Sequence, residues 1–425
     1  MTSPLHEEIL ARIRQHGPIT VAEFMELALY HRQHGYYTSR SGRSGKNGDY
    51  FTSVDVGPLF GELIAVQLAE MWDVLARSGD RRFDLVEVGA GDGRLTRDIL
   101  DTIAREHPAL YENVRVTLVE RSPLARDAQL TTLGTHADRI VATLAELPDP
   151  RNREPRTASL SAHEALSEPR TNELPGQRTT ALPVSGSRPS GPRPPGPGTP
   201  GAGFTGVILA NELLDALPVH VVTMTNEGPR EIYVDQRNRV LIEVEGPVGD
   251  ARLCERLARI GGGLQPGWQR EISLEADRWI VRAGAALDRG FVLLFDYAHE
   301  WCQFDTGVYA NGTLTAYGDH TAGSVHWLSS PGAFDLTSHV DLTSIRRAAE
   351  SVGLHSLGCV DQTYFLLALG LVARLTGSDA GSLRRRLAAK TLIFPGGLGS
   401  TMKAIVFAKD AGRPSLRGFG HGRMT

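Results

Sequence analysis

The sequence predicts an α/β fold, a largely parallel sheet with helices on both faces. Two observations carry that expectation. Apolar strand segments alternate with amphipathic helical ones from residue 83 onward, and the first strand runs into a glycine-rich turn, EVGAGDG, at residues 87–93. With 425 residues, 41% hydrophobic and 22% charged, the chain can bury a sizeable core.

Residues 4–16 read as an amphipathic helix stopped by Gly17-Pro18, and Thr20 with Glu23 has the capping-box spacing that opens a second helix to about Tyr30. The stretch 35–48, with Arg40, Arg43 and Lys46 among Gly and Ser, reads as a mobile loop. Pro58 opens a helix with Leu59, Leu63, Val66, Met71 and Leu75 on its apolar face. Strand Phe83–Val88, helix Arg94–Ala104, strand Val114–Glu120, helix Pro123–Leu133 and a short strand Arg139–Ala142 follow. Strand Gly206–Leu209 then leads into NELLDALP, and Phe291–Asp296 is a further strand. Strands His355–Asp361 and Met402–Lys409 bracket a helical stretch, Phe365–Leu392, whose apolar part Tyr364–Leu375 reads as core.

Two insertions interrupt this order. Residues 151–203 hold ten prolines among Ser, Thr, Gly and Arg, a composition that cannot bury enough apolar surface to order itself. Residues from Val219 to about Val244 alternate as a small antiparallel meander, with turns near 226–228 and 235–238.

The net charge of −4 gives no reason to expect nucleic acid or an anionic membrane as partner. Cys254, Cys302 and Cys359 are too scattered for a disulfide framework or a zinc site, so no metal is expected. The N-terminal MTSPLHEEILARI has neither a signal-peptide core nor an acid-poor transit composition, and the longest apolar run is too short to span a bilayer. A cytoplasmic location is the expectation.

At the carboxyl end of a first parallel strand the chain must turn sharply while letting a ligand approach its backbone, and Gly89, Gly91 and Gly93 permit both. Arg94 stands where a dinucleotide fingerprint would have its third glycine, and no Lys-Ser/Thr follows as in a phosphate-cradling loop. ExGxGxG is the form used by class I methyltransferases, so the expected cofactor is S-adenosyl-L-methionine. Glu120, ending the next strand, is placed to accept its ribose hydroxyls. Glu87 either joins that site or caps nearby backbone amides.

NELLDALP puts Asn211, Glu212 and Asp215 at the carboxyl end of a central strand, where open α/β sheets bind ligands. Asn211 would adjoin the cofactor. If a helical turn starts there, Glu212 and Asp215 share a face and suit a cationic acceptor such as guanidinium, which carboxylates hold in bidentate fashion. The alternative is that Asn211 caps a helix and the acids complement its dipole. Asp296 and Tyr297 could also reach the acceptor pocket. Tyr317, His320, His339 and Asp341 lie in a loop-rich region, where His339 and Asp341 are better read as fixing a loop or capping the next helix than as metal ligands.

With GPITVAEFMELALYHRQHGYY, GDYFTSVDVGPLFGELIA, LVEVGAGDG, ILANELLDALPV, LLFDYAH, GTLTAYGDH, DLTSHVDLT and FPGGLGSTMKAIVFAK, the chain resembles the MidA-like methyltransferase family over nearly its whole length outside 151–203. The family's mitochondrial member is an assembly factor of respiratory complex I that symmetrically dimethylates an arginine of a complex I subunit. The resemblance implies a class I methyltransferase, Rossmann-like core (79–150, 204–218, 290–298 and 340–410) with an N-terminal helical cap (1–78). It further implies acceptor-site insertions (219–289 and 299–339), and 151–203 is not a family feature. Gly89, Gly91 and Gly93 would line the methionine part of the cofactor and Glu120 its ribose. Ser53-Val54-Asp55 departs from the family's Ala-Pro-Glu-type segment, at a place expected not to touch the cofactor turn. The function implied is methylation of a protein arginine, plausibly on a respiratory complex subunit. The alternatives are a small-molecule O- or N-methyltransferase, or a cofactor-binding assembly factor without catalysis.

Overall fold

The structure is a computed structural model that describes residues 3–39, 52–77, 79, 81–147, 203–260, 264–318, 321–322, 325–377, 379–395 and 397–420. The disordered reading of 151–203 and most of the loop reading of 35–48 fall outside the described residues.

Seven strands form the central sheet: β1 Phe83–Val88, β2 Val114–Val119, β3 Ile140–Leu144, β4 Phe204–Asn211, β5 Leu287–Asp296, β6 His355–Asp361 and β7 Lys403–Lys409. Their spatial order is β6-β7-β5-β4-β1-β2-β3. The first five run parallel to one another, and β7 runs antiparallel between β5 and β6. Period-two alternation sends the two sides of each central strand into separate cores. Leu85, Val207, Leu209 and Phe295 pack under helices Leu59–Ala76 and Arg94–Glu106, while Val86, Ile208, Ala210 and Leu294 pack against Trp279, Ile280 and Ile345 on the other face. The helix Leu59–Ala76, grouped with the cap in the sequence, is thus a layer of the core sheet.

A second body is built from distant segments. Helices Pro4–His16 and Val21–Tyr30 place Leu5, Ile9, Phe24, Met25 and Leu29 in one core with Val221, Ile232, Val234 and Leu241 of the meander. Ile19 and Thr20 also pair with Val234 and Tyr233, so the cap helices and the meander share both a sheet and a core. The Thr20 side chain accepts Glu23 N–H at 3.1 Å, as the capping-box spacing predicts. A three-stranded sheet of Thr315–Gly318, Thr321–Ala322 and Asp335–Thr337 completes the accessory region.

The helical stretch Phe365–Leu392 is broken into helices Gln362–Ala368 and Ala380–Ile393 with a 3-10 turn between them. Gly370 and Gly377 take φ of 93° and 103°, which ends the first helix, and Asp379 caps the second by accepting Ser382 N–H at 2.6 Å. The run Tyr364–Leu375 is core on one side only: Phe365, Leu366 and Leu371 are buried, whereas Val372 is 68% exposed. No helix among the described residues is long and apolar enough to cross a membrane.

Phe24 is fully buried, with its ring edge-on to Trp327 at 5.4 Å. Phe24→Ala should cost about 3–5 kcal/mol. Hydrogen exchange should then rise in residues 4–30 and in 220–246 together, with β1 to β5 still protected. A rise confined to the helices would show that the two segments do not form one cooperative core.

Candidate functional site

Strand order reverses between β4 and β1, and a cleft of about 1030 Å³ opens at their carboxyl ends. That is the upper end of the usual range for a small-molecule site, and leaves room beside a cofactor. Gly89, Gly91 and Gly93 turn the chain from β1 into helix Arg94–Glu106 with φ of 72°, 53° and 88°, a region that L side chains avoid. Gly89 and Ala90 N–H both donate to Val119 O, at 2.8 and 3.1 Å, which clips the turn to β2. A Cβ on Gly91 would meet nothing within 4 Å, whereas one on Gly89 would lie 3.1 Å from Leu213. Gly91 is therefore where a ligand can lie against bare backbone.

Glu120 follows β2 and accepts Gly91 N–H through one oxygen at 2.8 Å and Ser122 N–H through the other at 2.7 Å. Each oxygen keeps a second lone pair, so vicinal hydroxyls could still donate to it. Burial raises its pKa. Glu87 is buried beneath the turn and accepts the Thr96 hydroxyl. It both lines the cleft and holds the first turn of the following helix. Burial pushes its carboxyl up to about 8.

The helical turn considered for NELLDALP does not form, and Asn211 caps no helix. Asp296, at the end of β5, accepts Leu213 and Leu214 N–H at 3.2 and 2.8 Å, and Glu212 N–H donates to Phe295 O at 2.8 Å. These bonds hold Glu212 at φ 49° and fold the loop back over the sheet edge. Asn211, Glu212 and Asp215 all line the cleft together with the glycine turn and Glu120. Asn211 Nδ2 and Ser53 N–H donate to Glu212 Oε1 at 3.2 and 3.4 Å. Asn211 Oδ1 and Asp215 Oδ1 are buried without a hydrogen-bond partner among the described residues. Desolvation lifts Glu212 to about 8 and Asp296 to about 6. Asp215 rises well above its usual value through burial and then through the charges of Asp296, Glu212 and Asp335.

Tyr297, Tyr317 and His339 also line the cleft, but the Asp296 carboxylate is spent on loop backbone. His320 lies outside the described residues. Asp341 caps helix Leu342–Glu350 by accepting Ser344 N–H at 3.3 Å and pairs with Arg256 at 3.0 Å, as the capping reading expects. The segment Ser53–Asp55 is nearer the turn than expected. Thr52 and Val54 line the cleft, and Asp55 bonds Arg94, the residue after Gly93, at 2.8 Å. Tyr30, Tyr37 and Asp335 were not singled out from sequence, though each lies within a motif used above for the resemblance.

Residues 63–360 match a family described as "Putative S-adenosyl-L-methionine-dependent methyltransferase". Proteins named "Protein arginine methyltransferase NDUFAF7, mitochondrial" are similar to the chain. The one from Rattus norvegicus is 29% identical over 383 residues, covering 88% of this chain and 76% of its own. The one from Homo sapiens is 29% identical, with 91% and 78% covered. Among solved structures, a "likely methyl transferase from Burkholderia thailandensis bound to S-adenosyl-homocysteine" superposes with a TM-score of 0.77 at 25% identity, covering 98% of this chain and 95% of that one.

Glu87 supplies a pH test of the turn. Its folded pKa of about 8 lies above the ordinary 4.5, so its contribution to stability is complete below about 4.5 and is lost as pH rises towards and through 8. Glu87→Gln keeps the neutral shape at every pH. The Tm of the variant minus that of the parent should therefore grow by roughly 5 °C between pH 5 and pH 9. A difference that does not change with pH would place the Glu87 carboxyl in solvent-like surroundings.

Proposed function

Since the chain belongs to the family of S-adenosyl-L-methionine-dependent methyltransferases that matches residues 63–360, we propose that it methylates a guanidinium nitrogen of a protein arginine. The cofactor is S-adenosyl-L-methionine, which supplies a methyl group activated by a positively charged sulfur. Open backbone at Gly91 and the spare lone pairs of Glu120 fit it: the turn would border its methionine part and Glu120 would accept its ribose hydroxyls. Asn211, ending β4 beside the turn, offers an unpartnered Oδ1 at the junction with the acceptor.

The observation that carries the acceptor reading is the pair Glu212 and Asp215, carboxyl groups held above their usual pKa in the same cleft. A guanidinium brought there would favour their charged forms and displace their protons. Glu212 would then hold one nitrogen in line for displacement and receive the proton that leaves it as the new N–C bond forms and the methyl–sulfur bond breaks, its electron pair going to sulfur so that S-adenosyl-homocysteine departs as a neutral thioether. The names of the curated relatives point the same way. A respiratory complex subunit is the partner suggested by the sequence resemblance.

Two experiments test this reading. S-adenosyl-homocysteine should raise the Tm of the protein, and Gly91→Val should abolish the rise, because an L side chain is strained at φ 53° and would occupy the ligand's approach. A shift that survives Gly91→Val would move the cofactor elsewhere. Labelled cofactor with lysate should place the label on protein arginine, and Glu212→Ala should lower kcat/KM by about 100-fold or more. As free Glu212 is protonated below about 8, kcat/KM of the parent should climb from pH 6 and level off above pH 8. Label found only in small molecules would replace the protein-arginine reading, and cofactor binding without any transfer would leave a non-catalytic role.

A further inference from the structure

One end of the cleft is built by residues that belong to none of the seven core strands. Tyr30 comes from helix Val21–Tyr30, Tyr37 from the short helix Tyr36–Ser39, Tyr317 from strand Thr315–Gly318 and Asp335 from strand Asp335–Thr337. The rings of Tyr30 and Tyr37 stack with centroids 5.5 Å apart and planes at 27°. The Tyr37 hydroxyl donates to Asp335 Oδ1 at 2.6 Å, and the Tyr30 hydroxyl donates to the carbonyl of Ala216, beside Asp215, at 3.1 Å. Ser338 N–H donates to the carbonyl of Asp215 at 2.9 Å, which ties the NELLDALP loop to the Asp335–Thr337 strand. Burial, and after it the charges of Asp215 and Asp335, raise the hydroxyl pKa of Tyr30 and of Tyr317, so rings and acids share one neighbourhood.

Asp215 is 6% exposed and Asp335 4%, and Asp215 Oδ1 has no hydrogen-bond partner among the described residues. A buried carboxylate oxygen without a donor is costly unless a ligand supplies one. The donor that suits two acids between aromatic rings is a planar, delocalised cation. Its N–H fork is taken by the carboxylates while its faces lie against the rings, whereas a compact, strongly hydrated ammonium matches neither feature as well.

We propose that Asp215 and Asp335, with the rings of Tyr37 and Tyr317 and with Tyr30 stacked against Tyr37, form a guanidinium-selecting subsite in which the accessory body joins the loop after β4 in reading the acceptor. This deepens the arginine reading and rests on it for the identity of the natural acceptor. The cofactor side of the cleft is independent of it.

The full chain, saturated with labelled cofactor and acting on lysate protein, is inhibited in parallel by the tripeptide amides Gly-Arg-Gly, Gly-Lys-Gly and Gly-citrulline-Gly. The arginine peptide should inhibit, the neutral citrulline isostere should not, and the lysine peptide should be at least about 10-fold weaker. Asp335→Asn and Asp215→Asn should each weaken arginine-peptide inhibition by roughly 10- to 100-fold and leave the thermal shift with S-adenosyl-homocysteine unchanged. Tyr37→Phe keeps the Asp335 charge and should lose far less. If the Asp variants do not fold, Tyr317→Leu should still weaken the arginine peptide more than the lysine one. Parent-like inhibition of Asp215→Asn and Asp335→Asn, with label on arginine, would overturn the subsite and leave the protein-arginine function standing. Label on a different acceptor, with the arginine peptide still weakened by Asp335→Asn, would do the reverse.

Discussion

The cleft depends on one buried carboxylate that takes no part in lining its open face. Asp296 ends β5 and is 1% exposed, and it accepts the N–H groups of Leu213 and Leu214 from the neighbouring loop. Those are the amides a helix beginning after β4 would leave without intrahelical partners. By taking them, Asp296 lets the loop cross the sheet edge as an irregular turn, with Glu212 in the left-handed region. Strain at a non-glycine residue in that region is tolerated only where surrounding contacts over-determine it. Here they do, through Phe295 O, Ser53 N–H and the Asn211 side chain.

Crowding acids in this way has an electrostatic consequence. Asp215 is raised first by burial and then by Asp296, Glu212 and Asp335, and among its leading influences only the backbone N–H of Ala216 works in the other direction. Like charges in a low-dielectric cleft cannot all ionise, so the free site holds protons near neutral pH. On the reading proposed above, a guanidinium entering the cleft would displace these protons and recover hydrogen bonds, whereas a neutral acceptor would leave Asp215 as it is. Selectivity for charge would then follow from the loop conformation that Asp296 imposes.

Much of the core was legible because it follows from local rules. Strand periodicity and Gly89, Gly91 and Gly93 foretold the switch point, since each residue obeys a constraint visible in its own neighbourhood. The Thr20 cap and the Asp341 cap were equally local. NELLDALP escaped the same logic because the partner of its amides, Asp296, lies about 80 residues away, and three polar residues after a strand read equally well as a cap. Tyr30, Tyr37 and Asp335 went unnoticed for a related reason. Nearly 300 residues separate Tyr37 from the carboxylate it bonds, and no spacing rule joins them. The break at Gly370 and Gly377 was missed because the apolar content of Tyr364–Leu375 masked two left-handed glycines.

The two halves of the cleft are joined at one residue. Arg121 directly follows Glu120, pairs with Glu26 at 2.6 Å and places its guanidinium 4.2 Å from the ring centre of Tyr30. Arg121 and Glu26 are 39% and 46% exposed at their side chains, so the ion pair alone adds at most about 1 kcal/mol. Stacking on Tyr30 supplies what the ion pair does not, because the ring is packed and a planar cation over its face loses little hydration. The backbone that sets Glu120 in the cleft therefore also brings Arg121 against the first ring of the accessory wall. Arg121 itself shows that this wall accepts a guanidinium against tyrosine. A cleft-lining acid at the end of β2 and an arginine whose contacts are with helix Val21–Tyr30 are thus joined by a single peptide bond.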